Sequence, residues 1–593
     1  MRCRCRVHIA FLCAGLFFLP LASAAPTGFV MVEMQDGTKL ATDYYLPTRG
    51  GPRFPVLMTR STYGRELGGA GDQTVAQGYA VVVQDVRGFG GSEGEHQVFF
   101  ADGWHDGLTD GADTVAWILG QEWCDGHIGT FGGSALGITQ ALLAPATKHI
   151  EAQSIGVATV KFYHHLTYQG GVWRKNLCEG WLTMLKLENT MALWKSHPYE
   201  DAFWDDYNAE VRAKEITAPA IHLGGWYDIF QQGTIDNFVS RQYDGGKGAK
   251  GNQRLIITPY GHGGYSEGVA LKLPENAGAV KASHHDRAFF KHWLEGQQNN
   301  VMDMAPVYYY VMGDDTDPEA PGMEWRIADR WPPFHTNNTK YYLAQDGLLT
   351  TDRPSTSQEI AGFTYDPVNP FPTCGGQNLI LPFGPFDQRT VTQGRTDLLS
   401  FSSAPLETPL EVTGHVKLTL FISTDAPDTD FTAKLLDIYP EADGREILML
   451  DNIQRVKLRH GGDTPAPLLT SAAEVVEIEI DLWSISWVFH TGHRIGLHVS
   501  SSNYPRFEVN PNSGDDWPTD TNRRVAHNVV HMGRAYPSAL VLPVRPADVE
   551  VAAAPYLNPE DFRQYRRKAG EQARHEESHV GVRKGRLFKP RGQ

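Results

Sequence analysis

The stretch that decides the fold is Gly126-His-Ile-Gly-Thr-Phe-Gly-Gly-Ser-Ala-Leu-Gly137, in which a short apolar run leads into paired glycines and Ser134. A helix-competent run follows, from Leu136 to Leu143. This order is typical of a strand-turn-helix elbow, whose strained turn presents a serine hydroxyl and whose small neighbours make room for it. The usual elbow has glycine two residues after the serine, whereas this chain has Leu136 there and glycine at 137. Alone, a Gly-Gly-Ser is more typical of an ordinary loop, so its context matters.

Two short apolar runs further along the chain each end near an ionisable residue. The run 220–223 leads to Asp228, and the run 255–258 leads to His262. Serine, aspartate and histidine in this order are those of the α/β-hydrolase fold, where all three lie beyond the carboxyl ends of parallel strands. The segment from Asp228 to His262 suits one helix and one strand, and the longer segment from Ser134 to Asp228 predicts an insertion. Singly, Asp228 is equally typical of a helix N-cap and His262 of a glycine turn.

The N-terminus has the pattern of a secretory signal. Arg2, Arg4 and Arg6 precede an apolar run, 9–21, that is too short to span a bilayer, and a small-x-small site ends at Ala24. We therefore expect residues 1–24 to be a signal peptide and the protein to be periplasmic or secreted, with no membrane contact after cleavage. A retained anchor is the alternative.

Composition and charge narrow the class of protein. The chain has 593 residues, of which 41% are hydrophobic, so we expect a globular protein of two or three domains. A formal net charge of −16 argues against nucleic acid or an anionic membrane as partner. The cysteines outside the predicted signal peptide are Cys124, Cys178 and Cys374. They allow at most one disulfide, and their wide spacing is not that of a metal-binding site. The oligomeric state stays open.

The chain divides into segments of different pattern. Residues 25–158 and 214–335 alternate apolar strands with helices, which predicts a parallel sheet covered on both faces. Between them, residues 159–213 carry aromatic residues at helical intervals and predict a helical cap without strands. Residues 336–557 carry many short strands of period two, which predict an all-β sandwich or jelly roll. The basic, polar end, 558–593, predicts a mobile solvated tail.

The chain resembles the cocaine esterase/X-Pro dipeptidyl-peptidase superfamily over nearly its whole mature length. The motifs that carry the resemblance are, in order, Asp85-Val-Arg-Gly88, Ser92-Glu-Gly94, Gly132-Gly-Ser134, Gly225-Trp-Tyr-Asp228, Gly261-His262 and Gly492-His-Arg494. The resemblance implies an α/β-hydrolase domain with an inserted helical cap, followed by a jelly roll of the galactose-binding-like kind. It also implies a serine hydrolase that acts on esters or amides.

The resemblance assigns roles to five residues. It implies Ser134 as nucleophile, His262 as general base and Asp228 as the carboxylate that orients the histidine. The oxyanion donors would be the Tyr63 hydroxyl and the backbone N–H of Ala135. The esterase and dipeptidase branches usually have tyrosine after the nucleophile, so Ala135 removes a large ring beside the oxyanion hole.

The substrate is less defined than the reaction. The aromatic residues Phe230, Trp173 and Trp181 are candidates for an apolar acyl pocket. No metal ion or organic cofactor is required by this chemistry. An X-Pro dipeptidyl peptidase is the alternative enzyme, and it needs a carboxylate cluster that the sequence does not reveal. A third hypothesis is that the protein binds carbohydrate through its jelly roll and that the attached hydrolase domain is inactive.

Overall fold

A computed structural model of the protein describes residues 25–65 and 71–568. The predicted signal peptide, 1–24, and the predicted tail beyond residue 568 lie outside the described residues. In the parts of the chain that the structure describes, no helix combines the length and apolar character needed to cross a membrane.

A twisted sheet forms the core of the first half of the chain. The strands up to residue 328 are β1 (Gly28–Glu33), β2 (Lys39–Tyr45), β3 (Phe54–Ser61), β4 (Ala80–Asp85), β5 (Cys124–Gly133), β6 (Ala152–Gly156), β7 (Tyr168–Gln169), β8 (Val172–Trp173), β9 (Ala220–Tyr227), β10 (Gln253–Gly261), β11 (Val307–Val311) and β12 (Glu324–Ala328). Within the described ranges the sheet order is β1-β2-β4-β3-β5-β6-β9-β10-β11-β12. The run from β4 to β11 is parallel, and β1, β2 and β12 add antiparallel edges.

Helices alternate with these strands, as expected for crossover connections in a parallel sheet. They are α1 (Gly71–Ala76), α2 (Asp110–Leu119), α3 (Ala135–Ala146), α4 (Lys175–Met184), α5 (Glu188–Ser196), α6 (Gln231–Asp244) and α7 (Ala282–Trp293). Every residue of β4 is buried, because helices or further strands cover both faces of a parallel sheet. This is the α/β-hydrolase architecture that the sequence predicts.

The cap between β6 and β9 differs in one element from the purely helical cap that we predict. It contains a π-helical turn (Tyr163–Thr167), α4 and α5, and also the hairpin β7–β8. Gly170 and Gly171 form the hairpin turn with φ of 52° and 76°. A Cβ atom on Gly170 would lie 1.9 Å from the Ile453 carbonyl oxygen, so only glycine lets this hairpin dock on the second domain.

The second half of the chain is all-β apart from the short helix α8 (Arg389–Thr392) and a few helical turns. Its strands are β13 (Asn337–Ala344), β14 (Leu348–Thr350), β15 (Ile360–Tyr365), β16 (Leu398–Ser402), β17 (Leu410–Thr424), β18 (Asp430–Ile438), β19 (Glu446–Arg455), β20 (Val476–Phe489), β21 (Arg494–Ser500), β22 (Ala526–His531) and β23 (Ala539–Val544). Nearly all pairings are antiparallel, as in the predicted jelly roll; β14 and β16 are a parallel exception.

The first residues of the predicted solvated tail are ordered against the α/β domain. Residues 559–568 are helical, and Phe562 is buried with its ring centroid 4.6 Å from that of Tyr556. Glu560 of this helical segment also forms an ion pair with His284 of α7, at 2.5 Å. Tyr556, just before the predicted tail, and Phe562 within it form an apolar contact, which explains why this part differs from the expectation of a mobile end.

Candidate active site

The elbow at the end of β5 holds Ser134 in a strained conformation. Ser134 has φ 57° and ψ −127°, a backbone conformation with positive φ that residues other than glycine rarely adopt. Its N–H donates to the Gly156 carbonyl at 2.9 Å, which ties the elbow to β6. A Cβ atom on Gly137 would lie 2.8 Å from both the Ala158 Cβ and the Gly156 carbonyl oxygen. Glycine at 137 rather than 136 therefore lets α3 cross close to β6.

Three side chains meet at the carboxyl ends of the parallel strands. Asp228 follows β9 directly, His262 follows β10, and Ser134 follows β5. His262 Nε2 lies 2.8 Å from Ser134 Oγ, and His262 Nδ1 lies 2.5 Å from Asp228 Oδ2. With Nδ1 donating to the carboxylate, Nε2 is the ring nitrogen that accepts the hydrogen bond from the Ser134 hydroxyl.

The carboxylate of Asp228 is fully enclosed and held by two donors. Its Oδ1 accepts the Phe230 N–H at 2.7 Å, while Oδ2 faces His262. The cap reaches this loop through Arg174, whose guanidinium donates to the Ile229 carbonyl at 3.1 Å. Burial lowers the pKa of Arg174 to about 9. These bonds fix the rotamer of Asp228, so the imidazole is held in one orientation.

The two expected oxyanion donors border the same apolar cluster as the elbow. The Trp181 indole N–H donates to the Tyr63 hydroxyl oxygen at 3.0 Å. Because an indole N–H can only donate, the Tyr63 oxygen is the acceptor in this bond, which does not use the O–H of Tyr63. Ala135 is the first residue of α3, where backbone N–H groups have no acceptor within the helix. Both groups are hydrogen-bond donors, which is what the stabilisation of an oxyanion requires.

A narrow cavity of about 20 Å³ adjoins Ser134. Its lining is uncharged and consists of Phe99, Ser134, Ala135, Ile138, Leu166, Leu177, Cys178, Trp181, Ile229, Phe230 and Leu379. Burial raises the pKa of the Cys178 thiol to about 12, so this thiol is protonated and acts as a small apolar wall. The cavity is suited to an apolar group rather than to a charged one.

Two of the three predicted pocket residues line this cavity and the third does not. Phe230 and Trp181 are in its wall, whereas Trp173 is absent from it. Trp173 lies in the β7–β8 hairpin, where its ring packs against Tyr168 and Trp517 at centroid distances of 5.2 and 6.1 Å. Trp173 and Trp181 belong to the same buried apolar cluster. Aromatic spacing in the sequence therefore does not distinguish a residue of the core from a residue of the cavity wall.

Several wall residues were not predicted from the sequence. Phe99 comes from the loop before α2, and Leu379 comes from the second domain, between β15 and α8. The sequence predicts at most one disulfide among Cys124, Cys178 and Cys374, and all three cysteines in the described residues are free. No local pattern marks Leu379, because its position depends on how the two domains pack.

The comparisons with known proteins agree with this architecture. Residues 36–193 and 187–264 match the X-Pro dipeptidyl-peptidase (S15 family) model, and 299–541 match the X-Pro dipeptidyl-peptidase C-terminal non-catalytic domain. Cocaine esterase of Rhodococcus sp. (strain MB1 Bresler) is 32% identical over 589 residues, which cover 87% of this chain and 98% of the esterase.

Solved structures support the fold. An aminopeptidase from a marine sediment archaeon, Thaumarchaeota archaeon, aligns with a TM-score of 0.74 and 23% identity over 87% of this chain and 96% of its own. An α-amino acid ester hydrolase aligns with a TM-score of 0.73 and 23% identity over 89% of this chain and 98% of its own. The chain thus belongs to the S15 family that includes cocaine esterase and the X-Pro dipeptidyl-peptidases, and it is a serine hydrolase.

Proposed function

We propose that the protein is an exported esterase that cleaves esters of small apolar acids through an acyl-enzyme on Ser134. The observation that carries this proposal is the continuous hydrogen-bonded chain from Ser134 through His262 to Asp228. A serine hydroxyl is a weak nucleophile unless a base removes its proton during attack, and this chain supplies the base.

The reaction would proceed in two halves. Ser134 Oγ attacks the acyl carbonyl while its proton passes to His262 Nε2, and Asp228 stabilises the imidazolium. The Tyr63 O–H and the Ala135 N–H donate to the tetrahedral oxyanion. The imidazolium then protonates the departing alcohol, leaving the acyl group on Ser134. Water attacks the acyl-enzyme as His262 takes its proton; the imidazolium then returns a proton to Ser134 Oγ as the acid is released, which restores the free serine.

The cavity beside Ser134 favours this substrate class. Its lining is uncharged, whereas a dipeptidyl peptidase needs carboxylates to bind a free α-amino group. Its volume of about 20 Å³ is little more than that of one water molecule, so a large acyl group would require the wall to move. Short aliphatic acyl groups therefore fit with the least rearrangement.

A panel of chromogenic substrates tests the proposal. We expect p-nitrophenyl acetate and propionate to have higher kcat/KM than the benzoate and the decanoate, and alanyl-prolyl p-nitroanilide to be a poor substrate. Ser134→Ala should lower kcat by about 10⁴-fold or more. The exposed serine at the end of α5 offers a matched control, and Ser196→Ala should leave the rates unchanged. Preferred cleavage of the anilide would instead identify a peptidase, and full activity in Ser134→Ala would exclude this serine as nucleophile.

Export of the protein rests on the basic and apolar N-terminal pattern. We expect the mature chain to begin at Ala25, because the small-x-small site ends at Ala24. Mass spectrometry of the intact protein, purified from a periplasmic or culture fraction of a Gram-negative host, measures this terminus. An intact Met1 terminus on protein confined to the cytoplasm would contradict the proposal.

A further inference from the structure

A cluster of two histidines and one aspartate lies where the two domains meet. Asp314 follows β11 of the parallel sheet, while His490 and His493 flank the turn between β20 and β21 of the jelly roll. In the described residues, this is the group of ligand-type side chains that is compact enough to hold a metal ion, with its ligand atoms all within 4.8 Å of one another. The proposed esterase mechanism does not use it.

The spacing of the three ligand atoms is close to that of a transition-metal site. Asp314 Oδ2 lies 3.8 Å from His490 Nδ1 and 3.7 Å from His493 Nε2. Tetrahedral Zn²⁺, with bonds of about 2.0–2.1 Å, separates neighbouring ligand atoms by about 3.3 Å. The two distances from Asp314 Oδ2 therefore need to contract by only a few tenths of an ångström around an ion, and the two histidine nitrogens, which lie within 4.8 Å of each other, by at most about 1.5 Å.

His493 is oriented as a metal-binding histidine usually is. Its Nδ1 lies 2.8 Å from Asp437 Oδ1, and both side chains are buried. The Trp487 indole N–H donates to the other oxygen of Asp437 at 3.0 Å, which fixes that carboxylate. A carboxylate on one ring nitrogen directs the lone pair of the other nitrogen outward, here toward Asp314.

Asp314 is a buried carboxylate that, among the described residues, forms no ion pair with a lysine or an arginine. Its side chain is 3% exposed, and Thr316 donates to it through its N–H and its hydroxyl, both at 2.8 Å. Among the residues that the structure describes, its ion-pair partners are His490 and His493, both beyond hydrogen-bond distance. A buried charge left in this way is costly, and a metal ion between the three groups would neutralise it.

We propose that Asp314, His490 and His493 bind one divalent transition-metal ion of the Zn²⁺ type, which cross-links the α/β domain to the jelly roll. Two imidazoles and one carboxylate suit such ions, whereas Ca²⁺ and Mg²⁺ prefer all-oxygen sites. The His490 side chain is 24% exposed, so a water molecule has access to the remaining coordination position. The ion would add a direct link to a junction where Met312 already pairs with β20 through the Ser486 carbonyl and the Val488 N–H.

Calorimetry on the mature full-length chain, purified without a histidine tag and stripped of metal, tests the proposal. Zn²⁺ should bind with one equivalent per chain and raise the melting temperature, and Ca²⁺ should do neither. Co²⁺ in the same site should give the visible absorption of a tetrahedral or five-coordinate ion. His490→Ala should weaken Zn²⁺ binding at least tenfold and abolish the metal-dependent rise in melting temperature.

Two further variants separate metal binding from folding. His127 forms an ion pair with Glu151 on the surface of the α/β domain, so His127→Ala removes a comparable imidazole and should leave the Zn²⁺ affinity unchanged. Asp437→Asn should weaken Zn²⁺ binding about 10- to 100-fold, because it removes the partner that orients His493. Metal-free melting curves identify any variant that is misfolded. Absence of saturable Zn²⁺ binding in the wild-type chain, or undiminished binding in His490→Ala, would overturn the proposal.

Discussion

The strength of the Tyr63 hydroxyl as a hydrogen-bond donor depends on the neighbouring Trp181. Trp181 donates to it from the cap, and an accepted hydrogen bond at the oxygen polarises the O–H that donates onward. Trp181 therefore has two expected roles, as a wall of the acyl cavity and as a positioning residue for Tyr63. Its role as a donor to Tyr63 was not predicted from the sequence.

Replacing Tyr63 with phenylalanine should lower kcat and leave KM nearly unchanged. The variant keeps the ring and loses one oxyanion donor, which in other enzymes costs about 10²- to 10³-fold in kcat, or about 3–4 kcal/mol. Steady-state kinetics with p-nitrophenyl acetate measures both constants. Trp181→Phe keeps an aromatic wall and loses the N–H, so its loss of kcat should be smaller than that of Tyr63→Phe. A Tyr63→Phe enzyme with wild-type kcat would remove Tyr63 from the proposed oxyanion hole.

At the scale of elements, the turn between β5 and α3 has little room for any added atom. Gly137→Ala would place a methyl group 2.8 Å from the Ala158 Cβ and from the Gly156 carbonyl oxygen. Because both neighbours are backbone or the first side-chain atom, neither can move away without shifting β6. We expect a loss of about 1–3 kcal/mol in the free energy of unfolding and a displaced, less reactive Ser134.

Gly120 offers the matched control at the end of the neighbouring helix. A methyl group there would lie 3.4 Å from the Trp117 carbonyl oxygen, an ordinary contact, and the φ of −77° suits alanine. Gly120→Ala should change stability by no more than about 0.5 kcal/mol. Chemical unfolding and fluorophosphonate labelling, measured on both variants, compare the two sites. Equal effects of the two substitutions would contradict the packing argument.

The elements that could be predicted are those whose signal is local. The apolar runs that become β3, β4, β9 and β10 are continuous because both faces of a parallel sheet are covered. The hairpin β7–β8 has only two residues per strand, too few to show a period of two, and its stability comes from docking against Ile453. A two-residue strand that depends on a distant domain cannot be predicted from its own sequence.

At the scale of the whole molecule, three buried histidines make stability depend on pH. Burial lowers the pKa of His222 to about 3, of His285 to about 4 and of His498 to about 3. In the unfolded chain the pKa of each is near 6.5. Below pH 6.5 these histidines therefore bind protons in the unfolded chain but not in the folded chain. The stabilising contribution is complete above pH 6.5 and is lost as the pH falls toward the folded-state pKa values of about 3 to 4.

We expect the free energy of unfolding to fall with decreasing pH by up to about 1.4 kcal/mol per pH unit for each of these histidines. His222→Gln keeps a partner for Gln253 and removes one proton-binding group, so it should reduce the slope by about that amount. The exposed residue His527 supplies the control His527→Gln, which should leave the slope unchanged. Urea unfolding between pH 4.5 and 6.5 measures the slopes, and an identical slope in His222→Gln and wild type would contradict this explanation.

The features that sequence reasoning missed depend on contacts between the two domains. Leu379 reaches the acyl cavity from the second domain, and Asp314 meets His490 and His493 only because β11 lies beside β20. The meeting of Ser134, Asp228 and His262 was predictable because each of them follows a strand whose order in the sheet is set by the fold. No comparable rule relates residues of a parallel sheet to a turn in a jelly roll.

Locating a phosphonyl group on the chain identifies the nucleophile directly. The protein is treated with a fluorophosphonate, digested and mapped by mass spectrometry, with His262→Ala and Ser134→Ala treated in parallel. We expect one adduct per chain on the peptide that carries Ser134, much slower labelling in His262→Ala, and none in Ser134→Ala. An adduct on another residue, or labelling of Ser134→Ala at the wild-type rate, would exclude Ser134 as the nucleophile.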